Sequence, residues 1–142
     1  MTAKEYLSQA FVIRKMVNAK HARIKDLRDL QNCLSEILAG MDGQTSKLSS
    51  GMGGLQRAII GTVEELAGEV KCLLDVQREI AAVICKIRND DCKTIFYERY
   101  VNLKRWEAIA KEAGYSLRHV YKLRRRGLAE VNKLLRREPM PP

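Results

Sequence analysis

The chemistry missing from these 142 residues narrows the field before any motif is read. The four cysteines, Cys33, Cys72, Cys85 and Cys92, form no CxxC pair, and neither His21 nor His119 stands at metal-ligand spacing to any of them. No metal site or disulfide framework is expected, and Cys72, Cys85 and Cys92 fall in or beside helical apolar runs, where cysteine acts as a small hydrophobe. No apolar run approaches the ~20 residues of a membrane span. The opening MTAKEYLSQAF carries Lys4 and Glu5, with Arg14 and Lys15 soon after. This leaves no apolar core for a secretion signal, so a cytoplasmic, reduced protein with no membrane partner is expected. The glycine-rich stretch has no strand before it and no GK[ST] ending, which excludes a phosphate-binding P-loop. Glu64, Glu65 and Glu69 fall on the solvent face of a helix, suited to pairing with Lys20, Arg23, Lys25 and Arg28 rather than to acid–base chemistry. No catalytic residue, cofactor or enzymatic activity is expected. Aromatics are scarce, and Tyr6 and Phe11 are the only two before residue 96.

What the sequence does have is positive charge, concentrated at one end. Lys104 to Arg137 contains eleven Lys/Arg against three Glu, and so carries +8 of the formal +9. Within it, WEAIAKEAGYSLRHVYKLRRR reads as two helices joined by a tight turn. Ala110 is small enough for a second helix to cross closely, and Gly114 falls where the first helix must end in a left-handed residue. Ser116 is a suitable N-cap for the next helix. Ile109, Val120 and Leu123 point into a shared core, while Arg118, Tyr121, Lys122 and Arg125 form a basic, polar outer face suited to a DNA major groove. Trp106 stands at core spacing to Ile109 and Ala110, which predicts packing between helices rather than stacking on a base.

The remainder predicts an all-α chain. From about Thr2 to Met41, Tyr6, Ala10, Ile13, Val17, Ile24, Leu27, Leu34 and Leu38 recur at three- and four-residue steps, with Leu30 and Ile37 widening the stripe. GMDGQTSKLSSGMGG, residues 40–54, predicts a flexible loop. A second long helix is expected from about Leu55 to Arg88, roughly 50 Å long. Its heptads run Ile59, Val63, Leu66, Val70, Leu73, Gln77, Ile80, Ile84, Ile87. Two such helices predict a long antiparallel, coiled-coil-like hairpin over 1–89, in which Lys20 and Gln77 either form a polar layer or sit at the rim. A helix-turn-helix domain over 90–137 follows, beginning with a short helix from Asp91 to Val101 that exposes Arg99. The last helix is expected to pass through Gly127 by close packing or a bend. Residues 138–142 predict a disordered tail.

IFYERYVNLKRWEAIAKEAGYSLRHVYKLRRRGLAEV resembles region 4 of bacterial sigma-70-family factors. The match in type and spacing rests on Arg99-Tyr100, Ile109-Ala110, Gly114, Ser116, Val120, Leu123 and Leu128. The whole chain is also similar to short sigma-factor-like proteins of phages of Gram-positive bacteria, in the style of the ArpU and RinA late-transcription regulators. The resemblance implies a sequence-specific regulator of phage late genes that binds double-stranded DNA and acts with host RNA polymerase. Two departures qualify it: nothing corresponds to the promoter-melting region 2, and Leu117 stands where sigma factors often carry Arg. Resemblance and geometry together give Leu117, Arg118, Tyr121 and Lys122 as base readers, and Lys104, Arg105, Ser116, Arg124, Arg125 and Arg126 as phosphate contacts. A single recognition helix gains from pairing across two half-sites, so a homo-oligomer, with a dimer first, is expected. The alternative is a phage small terminase subunit, which joins a similar DNA reader to ring-forming helices. A protein-docking module without DNA affinity is the third possibility.

Overall fold

The computed structural model describes residues 1–41 and 46–137, and the described chain is helical throughout, with no strand. None of its helices is long and apolar enough to cross a membrane. The helices are α1 (Ala3–Leu7), α2 (Gln9–Ala39), α3 (Ser46–Ile84), α4 (Asp90–Phe96), a π-helical turn (Tyr97–Val101), α5 (Trp106–Ala113) and α6 (Leu117–Arg137).

The first long helix is interrupted once. A capping box starts α1: the Glu5 amide donates to Thr2 Oγ1 (3.2 Å) and the Thr2 amide donates back to Glu5 Oε2 (3.3 Å). At Ser8 the ladder slips, because the Gln9 side-chain amide donates to the Tyr6 carbonyl (2.9 Å) and the Phe11 amide bonds Ser8 at 3.1 Å. The second long helix starts earlier than its glycines suggest. Residues 46–54, expected in a loop, are the first turns of α3, whereas 42–45 lie outside the described residues, as does the expected tail. Glycine weakens a helix by up to about 1 kcal/mol without forbidding it, and Gly51 lies at ordinary contact distance from α2. A Cβ there would stand 3.7 Å from Leu34 Cδ2.

Contacts divide the chain into two compact units: Arg14–Cys72, and Met1–Ile13 together with the chain from Leu73. This division cuts across the boundary expected near residue 89.

In the first unit, α2 and α3 meet at two levels. Leu34 approaches Gly51, and Lys20 reaches Glu69 (3.1 Å) and Glu65 (3.7 Å), so the two segments run in opposite directions. Ile24, Leu27 and Ile59 are buried here, but Leu30, Ile37, Val63 and Val70 are exposed, so the widened stripe is not core. Lys20 pairs with carboxylates here.

In the second unit, α6 packs against α1, α4 and α5. Its core is Leu7, Ile80, Ile84, Ile87, Ile95, Phe96, Val120 and Val131, each at most 1% exposed. Polar side chains fasten the chain's early segments to this core. Asn132 Oδ1 accepts the Ala3 amide (2.9 Å), Glu130 Oε1 accepts the Arg88 amide (2.8 Å), and Gln77 Nε2 donates to the Val101 carbonyl (2.8 Å). Gly127 lies inside α6 because Phe96 fills the space a side chain would need: a Cβ there would stand 2.5 Å from Phe96 Cε1. The cysteines are all free; Cys92 is buried, while Cys72 and Cys85, expected to behave as small core hydrophobes, are exposed.

Candidate nucleic-acid interface

The joint between α5 and α6 is built by local chemistry. Gly114 takes φ 73°, ψ 25°, with its amide to the Lys111 carbonyl (3.4 Å) and the Tyr115 amide to Ala110 (2.9 Å). That is the Schellman pattern, which satisfies carbonyls orphaned at a helix end. Ser116 then caps α6, its Oγ accepting the His119 amide at 3.1 Å. Tyr115 locks the turn: its hydroxyl donates to Asp91 Oδ1 (3.1 Å), and its ring meets His119 edge-on at 4.8 Å. The Asp91 hydrogen bond raises the Tyr115 phenol above its ordinary pKa. The Asp91 contact was not foreseeable, since Asn89, Asp90 and Asp91 read equally as a cap cluster. Asn89 does cap α4, accepting the Cys92 amide (3.0 Å), which leaves Asp91 free for the tyrosine.

Below the turn, the side chains expected inside α5 and α6 are buried: Trp106, Ile109, Ala110, Val120 and Leu123. Trp106 belongs to an aromatic cluster, with edge-on contacts to Phe96 (6.4 Å) and Tyr100 (6.0 Å), and Phe96 meets Tyr100 at 5.3 Å. These geometries suit the ring quadrupoles.

Arg99 is not exposed as expected. The π-helical turn carries it inward, with its guanidinium 4.4 Å from the Phe11 ring centre and 5.3 Å from that of Trp106. Its Nη1 donates to the Lys104 carbonyl (2.9 Å). Burial lowers the Arg99 pKa; Tyr100 opposes this most, and the neighbouring Arg124 charge lowers it further. Between Arg99 and Lys104 the backbone turns through Leu103 at φ 58°, a left-handed conformation costly for a residue with a Cβ. The Lys104 amide donates to the Glu98 carbonyl (3.1 Å) across this turn. The "RY" pair is therefore a joint between Phe11 and α5, with Tyr100 buried and Arg99 half-buried, and nothing in local periodicity marks a π-helical turn.

On the outer surface, Arg118, Lys122, Arg125 and Arg126 are exposed, and Leu117 and Tyr121 are 41% and 39% exposed. Two open hollows flank this face. Arg118, Tyr121, Arg124, Arg125 and Leu128 line one, and Ser116, Arg118, His119, Lys122 and Arg125 line the other. Arg118 and Arg125 thus stand between two basic concavities on a helix whose opposite side is core.

Two of the expected phosphate contacts also have partners within the protein. Lys104 is clamped by Glu98 and by Glu112 Oε2 (2.8 Å). Its hydrogen bonds to these carboxylates, Glu112 foremost, raise its pKa, while the bond from Lys104 holds Glu98 below its ordinary value. Two carboxylates neutralise this ammonium, so it fixes the approach to α5 instead of offering charge outward. Arg124 is half-buried with its guanidinium 5.6 Å from the Trp106 ring centre. Arg105 is exposed at the N-cap position of α5 and makes no side-chain cap. Among the described residues, no group of three His, Cys, Asp or Glu is placed to hold a metal ion.

Comparison of the chain with protein-family models, with curated proteins and with solved structures finds no match.

Proposed function

We propose that this protein is a sequence-specific DNA-binding transcriptional regulator, similar to the DNA-reading end of a sigma factor and acting with RNA polymerase in the cytoplasm of a bacterial host. In this reading α5, the Gly114 turn and α6 form a helix-turn-helix, and the long helices form a hairpin that serves association. The protein acts by binding, with no catalytic step. The observation that carries the proposal is the two-sidedness of α6. Val120, Leu123 and Gly127 are buried in the core, while Arg118, Lys122 and Arg125 stand exposed between two basic hollows.

Such a helix presents its first two turns to a major groove. Arg118 is the base reader for a guanine edge, since a guanidinium can donate two parallel hydrogen bonds to O6 and N7. Tyr121 and Lys122 extend the contact, and Leu117 offers an apolar surface to a thymine methyl group. Arg125, Arg126, Arg105 and the capped Ser116 turn hold phosphates, which position the helix without reading sequence. Lys104 holds the entry to α5, and Arg124, against Trp106, borders the same hollow as Arg118 and Arg125.

Selection of bound sequences from random duplex DNA tests this directly. A defined site is expected for the wild-type chain. The Arg118→Ala variant should lose ~1–3 kcal/mol of binding and tolerate any base at one position of that site. An enriched pool with no common site would remove the sequence-specific reading.

A further inference from the structure

We propose that the C-terminal half of α6 is a second phosphate-binding surface, on which Lys133 and Arg136 hold the backbone of duplex DNA beyond the groove that Arg118 reads. The proposal rests on the DNA-binding reading and extends the contact past the first two turns of the helix.

The α6 helix is longer than base reading requires. Its 21 residues make it roughly 30 Å long, whereas the major groove is about 12 Å wide. Lys133 and Arg136 stand roughly 22 and 27 Å along the axis from Arg118, past the width of the groove. A recognition helix that runs on beyond its base-reading residues can meet the backbone with its C-terminal end.

The cationic row continues in register over that distance. Arg118, Lys122, Arg125, Ala129, Lys133 and Arg136 recur at three- and four-residue steps on one side of α6, and all are exposed. Val120, Leu123, Gly127 and Val131 are buried on another side. None of the row makes an ion pair among the described residues. The acids closest in the chain's packing are turned to backbone amides: Glu130 accepts that of Arg88 (2.8 Å), and Glu5 on α1 accepts that of Thr2 (3.3 Å).

Helix faces turned only to water carry both signs in this protein. On α2, Arg23, Lys25 and Arg28 stand among Asp26 and Asp29, and on α3, Arg57, Lys71 and Arg78 stand among Glu64 and Asp75, all exposed. In contrast, α6 has eight Lys/Arg against Glu130 alone. The helix dipole favours cations in the last turn, which bears on Arg136 and Arg137 but explains neither Lys133 nor the lack of acids. A long row of one sign suits an evenly spaced polyanion, and a phosphate backbone is one.

Two measurements on the full chain test the proposal: the salt dependence of duplex binding, and hydroxyl-radical footprinting of the bound DNA. Lys133→Ala with Arg136→Ala should reduce the salt slope by about two and shorten the protected backbone at one end, with the preferred sequence and the helicity by circular dichroism unchanged. The charge-keeping pair Lys133→Arg with Arg136→Lys should retain the wild-type slope and footprint. Removal of two cations elsewhere, Arg57→Ala with Lys71→Ala on α3, should alter neither. A slope lowered by Arg125→Ala but not by the Lys133 and Arg136 alanines would overturn this proposal and leave the groove-reading helix standing. So would an unchanged footprint, an equal loss from the α3 pair, or a loss in the charge-keeping pair. Absence of duplex binding at low salt would remove both readings.

Discussion

At the scale of single residues, small and charged side chains decide how α6 is presented. Gly114 is required by its positive φ, and Gly127 by Phe96, which occupies the space of a missing Cβ. Gly127→Ala is therefore expected to destabilise the fold by ~1–3 kcal/mol, the usual cost of overpacking a core. Gly61 has nothing within 4 Å of a Cβ built on it. At that position alanine should stabilise by ~0.5–1 kcal/mol through helix propensity alone. Urea denaturation of the two variants beside wild type measures both, and opposite signs are expected. The sequence announced these glycines unevenly. Gly114 was legible because Ser116 and a polar helix follow it. The need at Gly127 arises from Phe96, thirty-one positions earlier, and only its place within a helix could be read. Arg99 was the least legible residue, since an arginine between helices reads as solvent-facing until Phe11 and Trp106 are seen on either side of it.

Among elements, periodicity carried most of the fold. The two long helices, the short α4, and the α5–turn–α6 joint follow from apolar spacing, caps and one left-handed glycine. Periodicity failed where a stripe was wide enough to hold two readings. In the heptads of α3, Val63 and Val70 count as core, yet they face water, because a single neighbouring helix covers only one narrow seam. It failed again at residues 46–54, where glycine content outweighed the continuity of the helix. The entry to α5 rests on the Glu98–Lys104–Glu112 clamp and so depends on pH. The folded Glu98 carboxyl titrates below its ordinary value, chiefly through the hydrogen bond from Lys104. Its contribution to stability is then fully present above the ordinary glutamate pKa and is lost as pH falls through the depressed value. Thermal unfolding followed down the acid limb should show this loss. Lys104→Met should flatten that part of the curve while lowering stability near neutrality. An acid limb unchanged in the variant would mean that the clamp does not support the turn.

For the whole molecule, the distribution of charge matters more than its sum. The sequence places +8 of +9 between Lys104 and Arg137, and the structure exposes most of those cations on and around α6 while pairing Lys104 with two carboxylates and laying the half-buried Arg124 against Trp106. That split between outward and structural cations could not be read from composition, because it depends on Glu98, Glu112 and Trp106 folding against them. Nor could the membership of the two compact units, in which the first thirteen residues join the C-terminal helices through contacts as distant as Ala3 to Asn132. If the outer face of α6 binds duplex DNA as proposed, titration of the full chain with a labelled duplex over a series of salt concentrations will reveal it. Binding is expected at low salt with an affinity that falls linearly on logarithmic axes, with a shallower slope for Arg125→Ala or Arg126→Ala and an unchanged slope for Lys104→Ala. No binding to duplex DNA at low salt, where phosphate contacts are strongest, would contradict it.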